Sequence, residues 1–402
     1  MTAEIAILNK HGIVLAADSA VTVSFGHGQV KTYNAVNKLF SLGGSHDIGI
    51  MIYGNAEFMS IPWEIIIKEF RKRNKDIVFD RLELCSSAFL EFLKDEKFRN
   101  ETISKQAIQS VIDSLLEHLL EMSSERVNYI QKQNPEKAIS LDDITQIISG
   151  VITETAKTYS NNEDMLLNGL SKEKFSLLFS EYCKNKLREN IYIEERIHML
   201  DDIFIALAYQ MVVFNSLFDT CSGVVVGGYG SEELFPSLAA FEISYIFENE
   251  IKLKKTHTSI VDLLNSDASI VPFAQTDMIS TILTGIDPIM SEVIIKSINK
   301  LGNSSNSDKK LVIDEISSCQ QQKFINPILG VVRTLALPEL ANMAETLVNL
   351  TSFKRHITDS LETVGGPVDV LVISKGDGPI WINRKEYFDI SKNLEYRNRK
   401  SR

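Results

Sequence analysis

Met1-Thr2-Ala3-Glu4-Ile5-Ala6-Ile7-Leu8 opens the chain, and the way this stretch is read decides the fold. It is short and alternating, with Ile5 and Ile7 on one face, so it reads as a β-strand. It lacks the basic n-region and long apolar stretch of a secretory signal. Lys10-His11-Gly12 supplies a turn, and Ile13-Val14-Leu15-Ala16-Ala17 a second strand that ends at Asp18. A hairpin of this kind returns the chain to its own start and brings Asp18 near Thr2. A methionine followed by a small residue is the usual substrate for removal of the initiator Met, and that step leaves Thr2 with a free α-amine.

A hydroxyl attacks poorly until a base takes its proton. A threonine at a chain end carries its own base, because an α-amino group titrates at about pH 8 and is partly neutral near physiological pH. A nearby ammonium favours the neutral amine, and a carboxylate holds that ammonium in place. The sequence offers Asp18 for the carboxylate. For the ammonium it offers Lys38, within Tyr33-Asn34-Ala35-Val36-Asn37-Lys38-Leu39-Phe40.

On these residues the opening resembles a β-subunit of the proteasome, and more closely the bacterial ATPase-partnered proteasome-like peptidase. Thr2 stands at the mature N-terminus, Gly12 at the turn, and Ala16-Ala17-Asp18 at the close of the second strand. Asp18 follows Thr2 by 16 residues, the family's spacing, and Lys38 opens the third strand after a slightly longer loop. Ile48-Gly49-Ile50-Met51-Ile52-Tyr53-Gly54-Asn55-Ala56-Glu57 is similar to the family's strand-to-helix passage. The resemblance implies Thr2 as nucleophile and base, Lys38 as electrostatic activator, Asp18 as its partner, and Gly54 N–H as oxyanion donor. Such a donor lowers the barrier by about 3 kcal/mol. It also implies that Val21 and Thr22, with residues near Gly54, grip an extended peptide by main-chain hydrogen bonds. Val21 and Ile52 are candidates for lining the pocket of the residue before the cut, with a plain core role for Ile52 left open. The family often carries an aspartate and a serine just ahead of a paired glycine. Here Leu361 and Val364 fall there before Gly365-Gly366, with Asp359, Glu362 or Thr363 close enough to compensate. A further family serine has Gln275 or Thr276 as its substitute.

At 402 residues the chain is long enough for two domains, or for one large domain with insertions. Its composition is globular, 44% hydrophobic and 24% charged, and its net charge of −11 argues against a nucleic-acid role. No apolar run reaches the ~18 residues of a membrane span. Cys85, Cys183, Cys221 and Cys319 are scattered and form no CxxC pair, which fits reduced, mostly buried thiols in a cytoplasmic protein. No HExxH occurs, so neither a metal nor a cofactor is expected.

Residues 1–53 read as the first sheet, followed by a helix from Pro62 to Arg73 whose basic end suits the helix dipole. Helical periodicity then dominates 75–200, over Leu82 to Leu93, Ile108 to Ile130, Leu141 to Thr158 and Phe175 to Leu187. Ile112, Leu115, Leu116 and Leu119 form an apolar stripe for the core or for another subunit. Tyr192 to Phe218 reads as a helix that packs against the sheet. Strands return at Ser222 to Gly230, Ser237 to Phe247, Glu250 to Lys255, Val368 to Ser374 and Pro379 to Ile382. Val271 to Asp277 leads into helices, Gly302 to Asp308 reads as a loop, and Leu337 to Arg355 as a helix. Neither Gly26-His27-Gly28 nor Gly227-Gly228-Tyr229-Gly230 has the spacing or the following helix of a nucleotide loop.

The expected fold is α+β, a four-layer αββα sandwich of the N-terminal-nucleophile hydrolase type. Its core comprises 1–74 and 201–390, with a helical insertion at 75–200 and a basic, disordered tail at 391–402. The expected activity is peptide-bond hydrolysis through an acyl-enzyme on Thr2. By family resemblance the substrate is a peptide or unfolded polypeptide and the assembly a homo-oligomer, either a ring with an ATPase partner or, given the insertion, a smaller oligomer. No nucleic acid or membrane partner is expected. The rival readings are a small-molecule amidase of the same fold and an inactive assembly protein.

Overall fold

Ala3–Asn9 forms strand β1 and Gly12–Ala17 strand β2, and both are buried along their whole length. A strand buried on both faces is largely apolar on both, and alternation then assigns each side chain to a layer. Ile5 and Ile7 join one core cluster, and Ala6 and Leu8 another. The computed structural model describes residues 2–24, 30–136, 138–159, 164–191, 194–263, 267–301, 305–358, 364–386 and 388–393.

After β2 the chain makes a two-stranded ribbon, β3 (Val21–Ser24) with β4 (Val30–Tyr33). Strands β5 (Leu39–Gly43) and β6 (His46–Gly54) follow, then the short pair β7 (Glu57–Phe58) and β8 (Ile61–Pro62) and helix α1 (Trp63–Arg73). Five helices come next: α2 (Leu82–Leu93), α3 (Glu101–Gln133), α4 (Leu141–Thr158), α5 (Lys172–Asn190) and α6 (Glu194–Phe214). Strands β9 (Ser222–Gly228), β10 (Ser237–Phe247), β11 (Glu250–Ile260) and β12 (Ala268–Ala274) return the chain to sheet. Helices α7 (Asp277–Thr284), α8 (Pro288–Lys300), α9 (Asn306–Gln320), α10 (Asn326–Val332) and α11 (Leu337–His356) precede β13 (Asp369–Ser374) and β14 (Gly378–Asn383).

The strands build two five-stranded antiparallel sheets, ordered β12-β1-β2-β13-β14 and β11-β10-β9-β6-β5. This corrects the expectation that residues 1–53 form one sheet: β1 and β2 lie in the first, β5 and β6 in the second. The strands of the first hairpin find their outer partners late in the chain. Hydropathy along a single strand carries no information about that.

Three apolar layers alternate with the two sheets. Ile13, Leu15 and Ala17 of β2 meet Met51, Val225 and Leu238 between the sheets. Val14 and Ala16 point the other way, toward Leu340, Ala344, Leu347 and Val348 of α11. Beyond the second sheet, Ile48, Ile50 and Ile52 pack with Trp63, Phe70, Phe89 and Leu115 of α1, α2 and α3. Each such fully buried side chain contributes about 1.5–3 kcal/mol. The order is therefore helix, sheet, sheet, helix, the expected four-layer sandwich with its large helical insertion. The inserted helices share one continuous core with the second sheet, and Ile112, Leu115, Leu116 and Leu119 are all buried there. Helix α6 packs chiefly on α3, α4 and α5, where a contact with the sheet was expected.

Strand β12 and helix α9 are among the elements that escaped the sequence. Strand β12 contains Pro272, which cannot donate to a ladder, and it lies at the edge of its sheet with only β1 as neighbour. Helix α9 begins inside the expected loop, where Ser305 and Asp308 form a capping box. The glycine-rich turn after β9 is filled by the protein itself: Glu233 Oε2 accepts from Gly230 N–H at 2.6 Å and from Leu82 N–H at 3.0 Å. Cys85 and Cys183 are buried, Cys221 is half-buried and Cys319 is exposed. Among the described residues no single helix is long and apolar enough to cross a membrane. Gly26-His27-Gly28 and, within the basic tail, 394–402 lie outside the described residues.

Candidate active site

Thr2 stands at the threshold of β1, and neighbouring strands hold its main chain. Thr2 C=O accepts from Gln275 N–H at 3.0 Å, while Asp18 N–H donates to Ala3 C=O and Ala3 N–H to Asp18 Oδ1, each at 3.1 Å. The hairpin thus sets Asp18 beside residue 2, as its register requires. Only 3% of Thr2 is exposed, and its hydroxyl donates to Glu4 Oε2 at 3.0 Å. The other Glu4 oxygen, Oε1, lies 3.3 Å from Lys38 Nζ and makes no hydrogen bond among the described residues. Lys38 Nζ also donates to Asp18 Oδ1. Lys38 is delivered by the chain just before β5, where its carbonyl accepts from Ile52 N–H at 2.9 Å. Thr2, Asp18 and Lys38 are therefore brought together, and Glu4 joins them.

The two carboxylates are held differently. Asp18 accepts from Ala3 N–H and Lys38 through Oδ1, and from Ala20 N–H at 3.2 Å and Gly365 N–H at 2.9 Å through Oδ2. Glu4 is fully buried and, among the described residues, has only the Thr2 hydroxyl and the Lys38 ammonium. Its burial pushes the carboxyl up, the Lys38 charge pulls it down and the Asp18 charge raises it again, leaving it at about 7. Tyr53 on β6 lies on the same side. Burial, with the Glu242 and Glu4 carboxylates adding to it, pushes its phenol up to about 12.

The other expected residues fall as follows. Gly54 ends β6 with a left-handed φ of +77°, and a Cβ there would lie 2.7 Å from Cys221 O. Val21 and Thr22 are half-buried on the β3–β4 ribbon that follows Asp18. Ile52 is 4% exposed and belongs to the helix-covered core, the packing role left open above. Gln275 meets Thr2 through its main chain, and its side-chain oxygen accepts from Arg355. Thr276 precedes α7 without a side-chain cap. Gly365 holds Asp18 and accepts from Ser19 N–H at 3.1 Å, while the Val364 side chain packs under α11. Asp359, Leu361, Glu362 and Thr363 lie outside the described residues.

Glu4 was missed by the sequence reading, although a signal was present. It shares strand parity with Ala6 and Leu8, which face the layer between the sheets, so it is an acid at a position that hydropathy assigns to the interior. The site also lies apart from the cavity of about 540 Å³ lined by Lys10, His11, Tyr229, Leu337, Lys375 and Asp377. That cavity opens beside the β1–β2 turn, the length of β1 away from Thr2, roughly 24 Å at a strand's rise per residue. Among the described residues no group of three or more His, Cys, Asp or Glu side chains is placed to hold a metal ion.

No protein-family model matches the chain, and no curated protein matches it. Among solved structures it is similar to a Gly-1 mutant of Anbu from Hyphomicrobium sp. strain MC1, at 9% identity over all of this chain and 96% of that one, with a TM-score of 0.31. It is also similar to Anbu, described as an ancestral β-subunit, from Yersinia bercovieri, at 9% identity over 98% of this chain and 93% of that one, with a TM-score of 0.32. At such scores the architecture rests on the strands and helices described above.

Proposed function

We propose that the chain is a threonine-type N-terminal-nucleophile hydrolase of the proteasome β-subunit-like kind, which cleaves peptide bonds through an acyl-enzyme on Thr2 Oγ after Met1 is removed. The observation that carries this reading is the Thr2 hydroxyl hydrogen-bonded into a buried cluster of Glu4, Lys38 and Asp18. A surface threonine has no use for a buried ammonium beside it, whereas a nucleophile does. In this reading the Lys38 charge lowers the cost of the developing alkoxide, and Asp18 fixes the lysine. The hydroxyl attacks the scissile carbonyl, the amine product leaves, and water hydrolyses the ester. Gly54 N–H is the proposed oxyanion donor, supported by the left-handed φ that turns its backbone at the strand end. Val21 and Thr22 are proposed to pair with an extended substrate, in keeping with the ribbon they occupy. A peptide or unfolded polypeptide as substrate, a ring-like homo-oligomer and an ATPase partner belong to the same proposal.

Labelling with a peptide epoxyketone tests it, because that probe closes its ring on both the Thr2 hydroxyl and a free Thr2 amine. Wild type with Met1 absent by intact mass should take up one probe per chain, and Thr2→Ala none. Equal labelling of both proteins, or a wild type that retains Met1, would remove the proposal. A labelled enzyme that cleaves small amides but no member of a peptide library would point to the amidase.

A further inference from the structure

We infer that Glu4 is a catalytic residue: its carboxylate receives the Thr2 Oγ proton as the hydroxyl attacks, and later gives it to the leaving amine. This rests on Thr2 being the nucleophile, and it adds a base that the chain-end amine need not supply.

Three observations point to this. First, the group that already accepts the Thr2 Oγ proton is Glu4 Oε2, at 3.0 Å and within the reach a general base needs. Second, Glu4 is left incomplete where Asp18 is not. Asp18 is clasped by three backbone N–H groups as well as Lys38, whereas among the described residues Glu4 Oε1 has no hydrogen bond and only the ammonium at 3.3 Å. A carboxylate buried without a full set of donors is costly, and the fold sustains that cost next to Thr2 and at no other position of β1. Third, one ammonium faces two carboxylates, so a proton arriving on Glu4 leaves Lys38 and Asp18 as a matched pair. The charged and titratable groups facing Glu4 are Lys38 and Asp18, with Tyr53 opposite on β6, and removal of Met1 adds the α-amine of nearby Thr2. Burial sets the Glu4 carboxyl at about 7, where it takes and returns a proton readily.

The step balances. The Thr2 Oγ–H bond breaks toward Glu4 Oε2, the Oγ lone pair forms the bond to the carbonyl carbon, and the π electrons move onto the carbonyl oxygen. Collapse breaks the C–N bond, and the nitrogen takes the proton from Glu4. Water then attacks the Thr2 ester, giving one proton to Glu4, and the departing Oγ recovers it.

A β-lactone probe acylates the hydroxyl without forming a bond to the amine, so the comparison of Glu4 variants reads the base. Labelling rates are measured from pH 5.5 to 9 for wild type, Glu4→Gln and Glu4→Asp, with folding checked by circular dichroism and melting temperature. Wild type should show a rising limb centred near pH 7. Glu4→Gln should label roughly 10²–10³-fold more slowly at pH 8 and lose that limb. Glu4→Asp should keep a limb with a displaced midpoint and a lower plateau. A wild-type profile with no limb between pH 6 and 8 overturns the inference without any variant. So does a Glu4→Gln profile that matches wild type in rate and shape while Thr2→Ala stays unlabelled, and in that case the nucleophile survives and Glu4 alone falls. If the wild type never labels, both fall.

Discussion

Among the described residues two lysines, Lys38 and Lys252, are buried beside carboxylates, and they differ in stoichiometry. Lys252 of β11 meets Asp219 at 2.7 and 2.8 Å and Met211 C=O at 3.1 Å, while Ser244 Oγ donates to Asp219 at 2.8 Å. Burial pushes Asp219 up and Lys252 down, and each charge restores the other. One ammonium faces one carboxylate, and both Asp219 oxygens have a partner. Lys38 instead faces two carboxylates, one saturated and one not, with a hydroxyl on the unsaturated one. A matched pair pins structure, whereas an excess carboxylate leaves somewhere for a proton to go.

The largest test of that contrast is removal of each ammonium. Lys38→Met strands two buried carboxylates and should cost about 3–5 kcal/mol of stability in denaturant unfolding. It should also cut Thr2 labelling of the folded fraction by roughly 10²–10³-fold, the loss expected of a removed electrostatic stabiliser. Lys252→Met should carry a similar stability cost of about 3–5 kcal/mol and leave labelling of the folded fraction unchanged. Adding Asp219→Leu to Lys252→Met should recover most of that stability, because the stranded charge leaves with its partner. If the two lysine variants lose labelling equally while folded, the clusters are not different in kind.

The same contrast marks where the sequence was informative. The strand–turn–strand opening, the sixteen-residue interval from Thr2 to Asp18 and helices such as α2 and α4 were legible, because local periodicity and spacing determine them. The pairing of β2 with β13, and of β6 with β9, was not: both arise from contacts far apart in the chain. Asp18 and Lys38 were found by asking what a chain-end threonine needs. Glu4 was passed over because it sits inside a strand, where an acid reads as a break in alternation until the facing sheet shows what it meets. The Lys252–Asp219 pair had no signal at all, since Lys252 lies in a strand otherwise rich in exposed lysines.

A smaller effect follows from Glu4 alone. Its folded carboxyl is raised from 4.5 to about 7, so the folded state binds the proton more tightly than the unfolded state. That contribution is fully present below about pH 4.5 and is lost as pH rises through 7. Between those limits wild type should lose about 2–3 kcal/mol of stability that Glu4→Gln does not lose. Paired urea titrations at pH 5 and pH 8 measure the difference, and parallel curves for the two proteins would mean that the Glu4 carboxyl is not raised by the fold.

The smallest effect separates strain from position. Gly54 adopts φ +77°, and an added Cβ would lie 2.7 Å from the carbonyl oxygen of Cys221, whose thiol lies 3.2 Å from Ser244 of the Lys252 cluster. Gly376 adopts φ +95° in the β13–β14 turn, with nothing within 4 Å of an added Cβ. Both alanine variants should therefore lose about 1–2 kcal/mol through left-handed backbone strain, measured as shifts in denaturant midpoint. Only Gly54→Ala must also push its backbone away from Cys221, and with it the N–H proposed as oxyanion donor. Its Thr2 labelling should fall roughly tenfold or more, whereas Gly376→Ala should label at the wild-type rate. Equal labelling of the two variants would leave Gly54 a turn glycine and place the oxyanion donor elsewhere.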